Sequence, residues 1–436
     1  MKTTRFLILV AVVLALSRVQ ARELTIEDAL ALAESHSYRI KAGRAQSDAF
    51  SEGLKAAVAE RLPTLSATGV ASYRDEIAQL DVELPTGDVL RRDIGLKENY
   101  QVDLRLSLPL FTGGRISGTV DLARSTSDYY KAIENAAIDE VLLAARLNYL
   151  SLYKSDRLVE AARAGLKRAT TTLSDVQSLY DAGAADSVDI LDARMAVTGA
   201  QATLDNALSS RRRNEISLSV LLGLSPSEPI KLDFNPGRPD TTALGNRGIS
   251  GTKPELLAAG SAVEMSRSVV KVSRSDLFPS ISVFGGYSWG KPNLDQFHDE
   301  FNDYLTVGTT VKWSFNLGGK PARNVRKAKR QVSAAEFEYQ RTKERLDRNA
   351  RVILENLRLT YQNFETATVK HSIASDNCRL AAEKHREGVL SANRLVEIEA
   401  ALSEAEAHLA STRADFYMVE SQYYHALGSE LLKEGI

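Results

Sequence analysis

The chain has 436 residues, 55 Lys plus Arg against 56 Asp plus Glu, and a formal net charge of −1, which argues against nucleic acid as the main partner. At 44% hydrophobic and 25% charged residues it can bury a core, so wholesale disorder is excluded. A single cysteine, Cys378, excludes an intrachain disulfide framework and a Cys-rich zinc site, and the scattered histidines form no HExxH motif, so neither an enzyme constellation nor a cofactor is expected.

Residues 1–21 are expected to be a secretory signal peptide. Lys2 and Arg5 precede an apolar run from Phe6 to Leu16, and Val19-Gln20-Ala21 reads as a small-residue cleavage site. Because this segment holds Lys2, Arg5 and Arg18 and no acid, its removal leaves a net charge of −4. No later stretch approaches the ~20 apolar residues of a membrane-spanning helix.

The mature chain reads as two repeats. The first covers residues 22–223, a linker 224–253 follows, the second covers 254–428, and 429–436 form a tail. The first repeat opens with a helix over about 25–61, where Thr25 followed by Asp28 is an N-cap signal. Strands follow at 64–73 and 100–110, the latter alternating Tyr100, Val102, Leu104, Leu106, Leu108 and Leu110 with polar residues. Between them, residues 74–98 read as a solvated loop, so 64–110 forms one β-hairpin. Residues 110–225 contain no proline, and apolar spacings of three and four predict a helix over 115–181 and another over 187–222. Gly183 closes the first of these, and Asp186 or Ser187 can cap the second.

The second repeat has the same order. A helix is expected over 254–277, with Thr252-Lys253-Pro254-Glu255 spaced as a capping box. Strands over 280–289 and 305–315 form a hairpin 280–315, and helices over 320–386 and 391–427 follow, joined at Gly388 and Ser391. Leu62-Pro63-Thr64-Leu65 recurs as Phe278-Pro279-Ser280-Ile281, Gly113-Gly114-Arg115 as Gly318-Gly319-Lys320, and Gly183 as Gly388. Each 67-residue helix measures ~100 Å at ~1.5 Å per residue, so two shorter helices stacked end to end are needed to flank it. The expected form is a rod of paired helices with a sheet at one end.

A four-stranded sheet with an apolar face and two open edges is not a stable soluble object. Strands of about ten residues suit a tilted bilayer crossing, and only a closed barrel satisfies strand edges in lipid. One chain has too few strands, so several must contribute. Val102, Leu104, Leu106, Val311 and Trp313 are expected to face lipid, and Asp103, Arg105 and Lys312 the lumen; the alternative for the latter is a solvated sheet face.

This ordered set resembles the TolC-like outer-membrane efflux protein family over nearly the whole mature chain. The resemblance implies a fold of long α-helical hairpins forming a periplasmic α-barrel, with four strands per chain in a trimeric 12-stranded transmembrane β-barrel. It implies an outer-membrane channel-tunnel of a tripartite efflux or type I secretion system. Its partners would be a homotrimer, a periplasmic adaptor protein, an inner-membrane transporter and outer-membrane lipid. The tip residues matching the family's adaptor-docking motif are Gly183 and Ala184, and Gly388 and Val389. The positions matching its acidic periplasmic entrance are Asp189 and Asp192, then Arg394 and Glu397; Arg394 departs from the acidic pattern. Asp189 and Asp192 also suit plain charge stabilisation of a helix N-terminus. Glu404 and His408, at i and i+4, read as a solvated helix face and Cys378 as a packing residue. The competing reading is a secreted or surface coiled-coil protein, which leaves twice-inserted alternating strands without a purpose.

Overall fold

A computed structural model describes residues 22–241, 248–295 and 298–428. The signal peptide and tail expected at 1–21 and 429–436 lie outside these residues, as does 242–247 of the linker. In chain order the elements are β1 (Arg22–Leu24), α1 (Ile26–His36), α2 (Tyr38–Ala59), β2 (Thr64–Tyr73), β3 (Ala78–Glu83), β4 (Val89–Ile94), β5 (Glu98–Phe111), α3 (Arg115–Asp181) and α4 (Ser187–Leu222). There follow β6 (Ile230–Leu232), α5 (Pro254–Ser275), β7 (Ser280–Lys291), β8 (Asn302–Lys312), α6 (Lys320–Arg386) and α7 (Ala392–Leu427). The starts and ends of α3 and α4, at 115, 181, 187 and 222, recur for α6 and α7 at 320, 386, 392 and 427, one constant offset of 205.

Four local expectations need correction. The helix expected over 25–61 breaks at Ser37, whose hydroxyl accepts the Ile40 N–H at 3.4 Å and starts a second helix. The loop expected over 74–98 folds into an antiparallel hairpin of β3 and β4, clasped by Arg91 on Asp81 at 2.8 and 3.1 Å. The strand expected over 305–315 ends at Lys312, so Trp313 and Phe315 lie past it, their rings 4.6 Å apart. Thr252 forms no capping box; its hydroxyl meets that of Ser250 at 2.6 Å. By contrast Thr25 and Asp28 form a full capping box, Asp28 N–H donating to Thr25 Oγ1 at 3.1 Å.

The chain divides into two compact units, each drawing on both repeats. Residues 45–131 and 258–340 make one, and 1–44, 132–257 and 341–436 the other. The larger unit is helical, apart from β1 and β6, which pair in parallel. One core gathers Leu24, Ile40, Tyr149, Leu152, Leu218 and Leu222, and the Tyr149 hydroxyl donates to the Leu24 carbonyl at 2.9 Å. A second gathers Leu150, Leu354, Leu357, Phe416, Tyr423 and Leu427. Full burial of each such side chain is worth about 1.5–3 kcal/mol. Gly223 closes α4 with φ of 70°, and a Cβ there would meet the His36 ring at 2.3 Å, so only glycine suits the position.

Beside these cores α7 buries Glu420, 9% exposed, near Arg146 of α3, 1% exposed. Tyr424 Oη donates to Glu420 Oε1 at 3.4 Å, and Oε2 accepts no hydrogen bond. Burial pushes the Glu420 carboxyl up from 4.5 to about 7, against the opposing pull of Arg146.

The smaller unit holds a four-stranded antiparallel sheet in the order β2-β5-β7-β8. Among the described residues neither β2 nor β8 has a neighbour on its outer edge. Below the sheet, α2 and α3 pack through Ala57, Ile116 and Val120, with Phe50 stacked 3.7 Å from Tyr130. Gly113, φ of 63°, lets α3 start against α5: a Cβ would stand 2.7 Å from the Ser275 carbonyl oxygen.

Glu420 supplies a pH test. The folded chain holds this proton more tightly than the unfolded chain, so its contribution to stability is full below pH 4.5 and is lost as pH rises to about 7. Glu420→Gln is expected to flatten that part of the pH profile, read as the urea midpoint at pH 5 and pH 8. Equal pH dependence in the two proteins would show that Glu420 is already ionised in the fold at pH 5.

Candidate functional site

The two helix tips have one backbone construction. At the first, Gly183 has φ of 75°, its N–H donates to the Tyr180 carbonyl at 2.9 Å, and Ala184 N–H reaches Leu179 O at 2.8 Å. At the second, Gly388 has φ of 73°, with the equivalent bonds to His385 O at 3.0 Å and from Val389 N–H to Lys384 O at 2.9 Å. This double bond satisfies carbonyls left open at a helix end, and its left-handed residue favours glycine. His385, 7% exposed, braces the second tip through its Nδ1, 2.8 Å from Leu390 O. All four tip residues are solvent-exposed, Val389 at 73%.

Beyond the first tip Asp186 is the N-cap of α4. Its Oδ1 accepts from Val188 N–H at 2.7 Å and Asp189 N–H at 3.0 Å, and Asp189 Oδ2 accepts from Asp186 N–H at 3.2 Å. Asp189 thus has a structural task, as the helix-terminus reading requires. Asp192, one turn on, is half-buried and carries no such bond. Beyond the second tip, Ser391 Oγ accepts from Arg394 N–H at 3.4 Å, and Arg394 Nη1 donates to Glu397 Oε2 at 2.6 Å. The two helix starts are neighbours: Ala392 packs in one small core with Val176, Ile190 and Ala193. The four positions expected at an entrance therefore lie on two helix starts that share one small core.

Farther along, α3 is tied to α7 by polar bonds. Arg168 grips Glu406 at 3.0 and 2.7 Å and Ser403 at 2.8 Å, Thr172 donates to Glu399 at 2.9 Å, and Lys154 meets Asp415 at 2.8 Å. Burial pushes the Glu399 carboxyl up from its ordinary value. Cys378 is buried with Leu395, Ile398 and Leu402, and burial pushes its thiol up, as befits a packing residue. Glu404 and His408 are exposed, and no described group of His, Cys, Asp or Glu could hold a metal ion.

The sheet brings the other three expected residues to one face. Asp103 pairs with Ser288, Arg105 with Gly286, and Lys312 with Ser280, and positions 280, 286 and 288 of β7 point the same way. On that face Gln101 Nε2 donates to Asp103 at 2.9 and 3.0 Å, and the Arg105 guanidinium lies 4.1 Å from the Phe284 ring centre. The opposite face carries Leu65, Val102, Leu104, Leu106, Tyr287, Trp289, Leu305, Val307 and Val311. These are 40% to 76% exposed, an apolar surface that water does not favour. Among the described residues no helix is long and apolar enough to cross a membrane.

Sequence reading missed one feature near the tips. Val188, Leu191 and Met195 line one face of α4 and are 59%, 61% and 69% exposed. The three-and-four spacing was visible, but it reads equally as a core stripe until the packing partner is known.

The sequence profile described as outer membrane efflux protein matches residues 29–224 and 250–429. The chain is 25% identical over 391 residues to the solvent efflux pump outer membrane protein SrpC of Pseudomonas putida, covering 85% of this chain and 78% of that one. Among solved structures it superposes on CusC with a TM-score of 0.78 at 14% identity, over 92% of each chain. It superposes on the Vibrio cholerae outer membrane protein VceC with a TM-score of 0.76 at 16% identity, over 92% of this chain and 96% of that one. The chain belongs to the outer membrane efflux protein family, a family of channels rather than enzymes, and is a TolC-like efflux channel of the outer membrane with a periplasmic tunnel.

Proposed function

We propose that three copies of this chain close one twelve-stranded barrel, and that the resulting channel-tunnel is the outer-membrane part of a tripartite efflux or type I secretion system. One observation supports this assembly: a four-stranded sheet with an exposed apolar face whose two edges, β2 and β8, have no strand neighbour among the described residues. In lipid an open edge leaves backbone groups unsatisfied at several kcal/mol each, so another copy must supply the next strand. In this assembly Val102, Leu104, Leu106 and Val311 face lipid, and Asp103, Arg105 and Lys312 face the lumen. Trp313, beyond the strand, belongs to the aromatic belt at the barrel's foot.

The tips suit the partners that the family implies. Gly183, Ala184, Gly388 and Val389 are exposed at the ends of the hairpins and offer backbone and small apolar surface to a periplasmic adaptor, which in turn couples an inner-membrane transporter. Val188, Leu191 and Met195 extend that apolar surface along α4. Asp192 and Glu397, repeated around a shared axis, form the charged entrance. Asp189 is partly committed to its helix cap, and the Arg394–Glu397 pair lowers the negative charge of the ring in the resting state.

Native mass measurement in detergent is expected to give three chains, and a stable monomer would refute the assembly. For the entrance, Asp192→Ala is expected to reduce cation preference in planar-bilayer recordings. Asp186→Ala should instead cost about 0.5–2 kcal/mol of stability through loss of the cap. Unchanged selectivity in Asp192→Ala and in Glu397→Ala would remove both residues from the entrance.

A further inference from the structure

At the foot of β7 and β8 lies a cavity of about 480 Å³ lined by strand ends and helix starts together. Three of its side chains are cations: Lys312, the last residue of β8, Arg115, the first of α3, and Lys320, the first of α6. Asp276 is the one carboxylate on its wall. None of the three cations makes an ion pair or a side-chain hydrogen bond among the described residues, and all three are exposed. Phe278 and Phe315 form apolar wall beside them. The cationic excess continues along α6, which carries Arg323, Arg326, Lys327, Lys329 and Arg330 before its first acid, Glu336.

The register tells which side of the sheet this cavity occupies. Lys312 pairs with Ser280, both line the cavity, and Ser280 shares its face with Ser288, the partner of Asp103. The cavity therefore opens on the polar side, away from Ile281 and Val311. Three unpaired cations lining one cavity concentrate anions; clefts of one sign raise local counter-ion levels by roughly tenfold or more. A guanidinium next to two ammonium groups suits a multiply charged oxyanion, because arginine binds two oxygens in one plane and lysine adds point charge.

The geometry points to an oxyanion-binding ring inside the conduit, at the step from strands to helices, with phosphate- or carboxylate-bearing solutes as its ligands. This inference rests on the reading that the polar face lines the lumen of a closed barrel, where the cluster repeats around the axis. The ring is opposite in sign to the carboxylates Asp192 and Glu397, so the two sites select differently. Arg115, Lys312 and Lys320 hold the anion, and Asp276 limits how tightly it stays.

The test uses the full mature chain in planar bilayers, with inorganic tripolyphosphate as the probe added to either chamber. In the native channel tripolyphosphate is expected to block the current in a voltage-dependent manner. The triple variant Arg115→Gln, Lys312→Gln, Lys320→Gln is expected to raise the half-blocking concentration on the order of tenfold. Lys312→Gln alone, on an exposed strand end, should give a smaller shift in the same direction and keeps the test valid if the triple variant does not assemble. Asp276→Asn should strengthen the block. Native-like block in the Lys312→Gln and triple variants, or no block of the native channel, would overturn the ring. Absence of any conducting pore in the native protein would overturn the channel reading itself, and the ring with it.

Discussion

Two open strand edges govern this molecule. The sheet β2-β5-β7-β8 exposes Leu104, Leu106, Leu305 and Val307 on one face, and among the described residues β2 and β8 have no strand neighbour on their outer edges. In water either feature invites aggregation. In lipid the apolar face is favourable, yet the edges become costlier because no water replaces the missing partner. The proposed closure of the sheet by further copies in a membrane would meet both demands together. Membership of an outer-membrane channel family agrees with that physics.

The second constraint is duplication. The long helices α3 and α6 and the returning helices α4 and α7 share lengths of 67 and 36 residues, and both tips use the same left-handed glycine with the same pair of backbone bonds. The side chains have diverged where the backbone has not. The first tip is followed by the Asp186–Asp189 capping box, the second by Ser391 and the Arg394–Glu397 pair. Similar backbones with different charge make the two helix starts inequivalent within one chain. The polar links of Arg168 to Glu406 and Thr172 to Glu399 tie α3 of one repeat to α7 of the other.

Much of this was legible in the amino-acid order. Long proline-free stretches, glycine at each tip and strict alternation over 100–110 are local signals, and local signals set helix ends and strand faces. The same alternation put Asp103, Arg105 and Lys312 on one face, where the register has them. What escaped depends on pairing at a distance. The β3–β4 hairpin is short and charged and resembles a loop until its register is seen, and β6 forms only because β1 lies alongside. Trp313 continued an alternating pattern, but the ladder stops at Lys312, beyond which β7 offers no partner. For Asp189, cap and gate have the same sequence signature, and the bond from Asp186 N–H adds a capping role that the sequence alone leaves open. The cationic cavity was invisible because Arg115 lies far along the chain from Lys312 and Lys320.

The most direct measurement asks whether β8 of one copy pairs with β2 of the next. Cys378 is first replaced by serine, then one cysteine is introduced at Thr68 and another at successive positions along β8, and the outer membranes are oxidised. Within one chain β2 and β8 are separated by two strands, or ~14 Å at ~4.8 Å per step, too far for a disulfide, which needs Cα atoms within about 7 Å. Any bond between them must therefore join different chains. Covalent rings of three chains at one preferred register are the predicted result. Monomers at every register, with the protein inserted in the outer membrane, would contradict closure between copies.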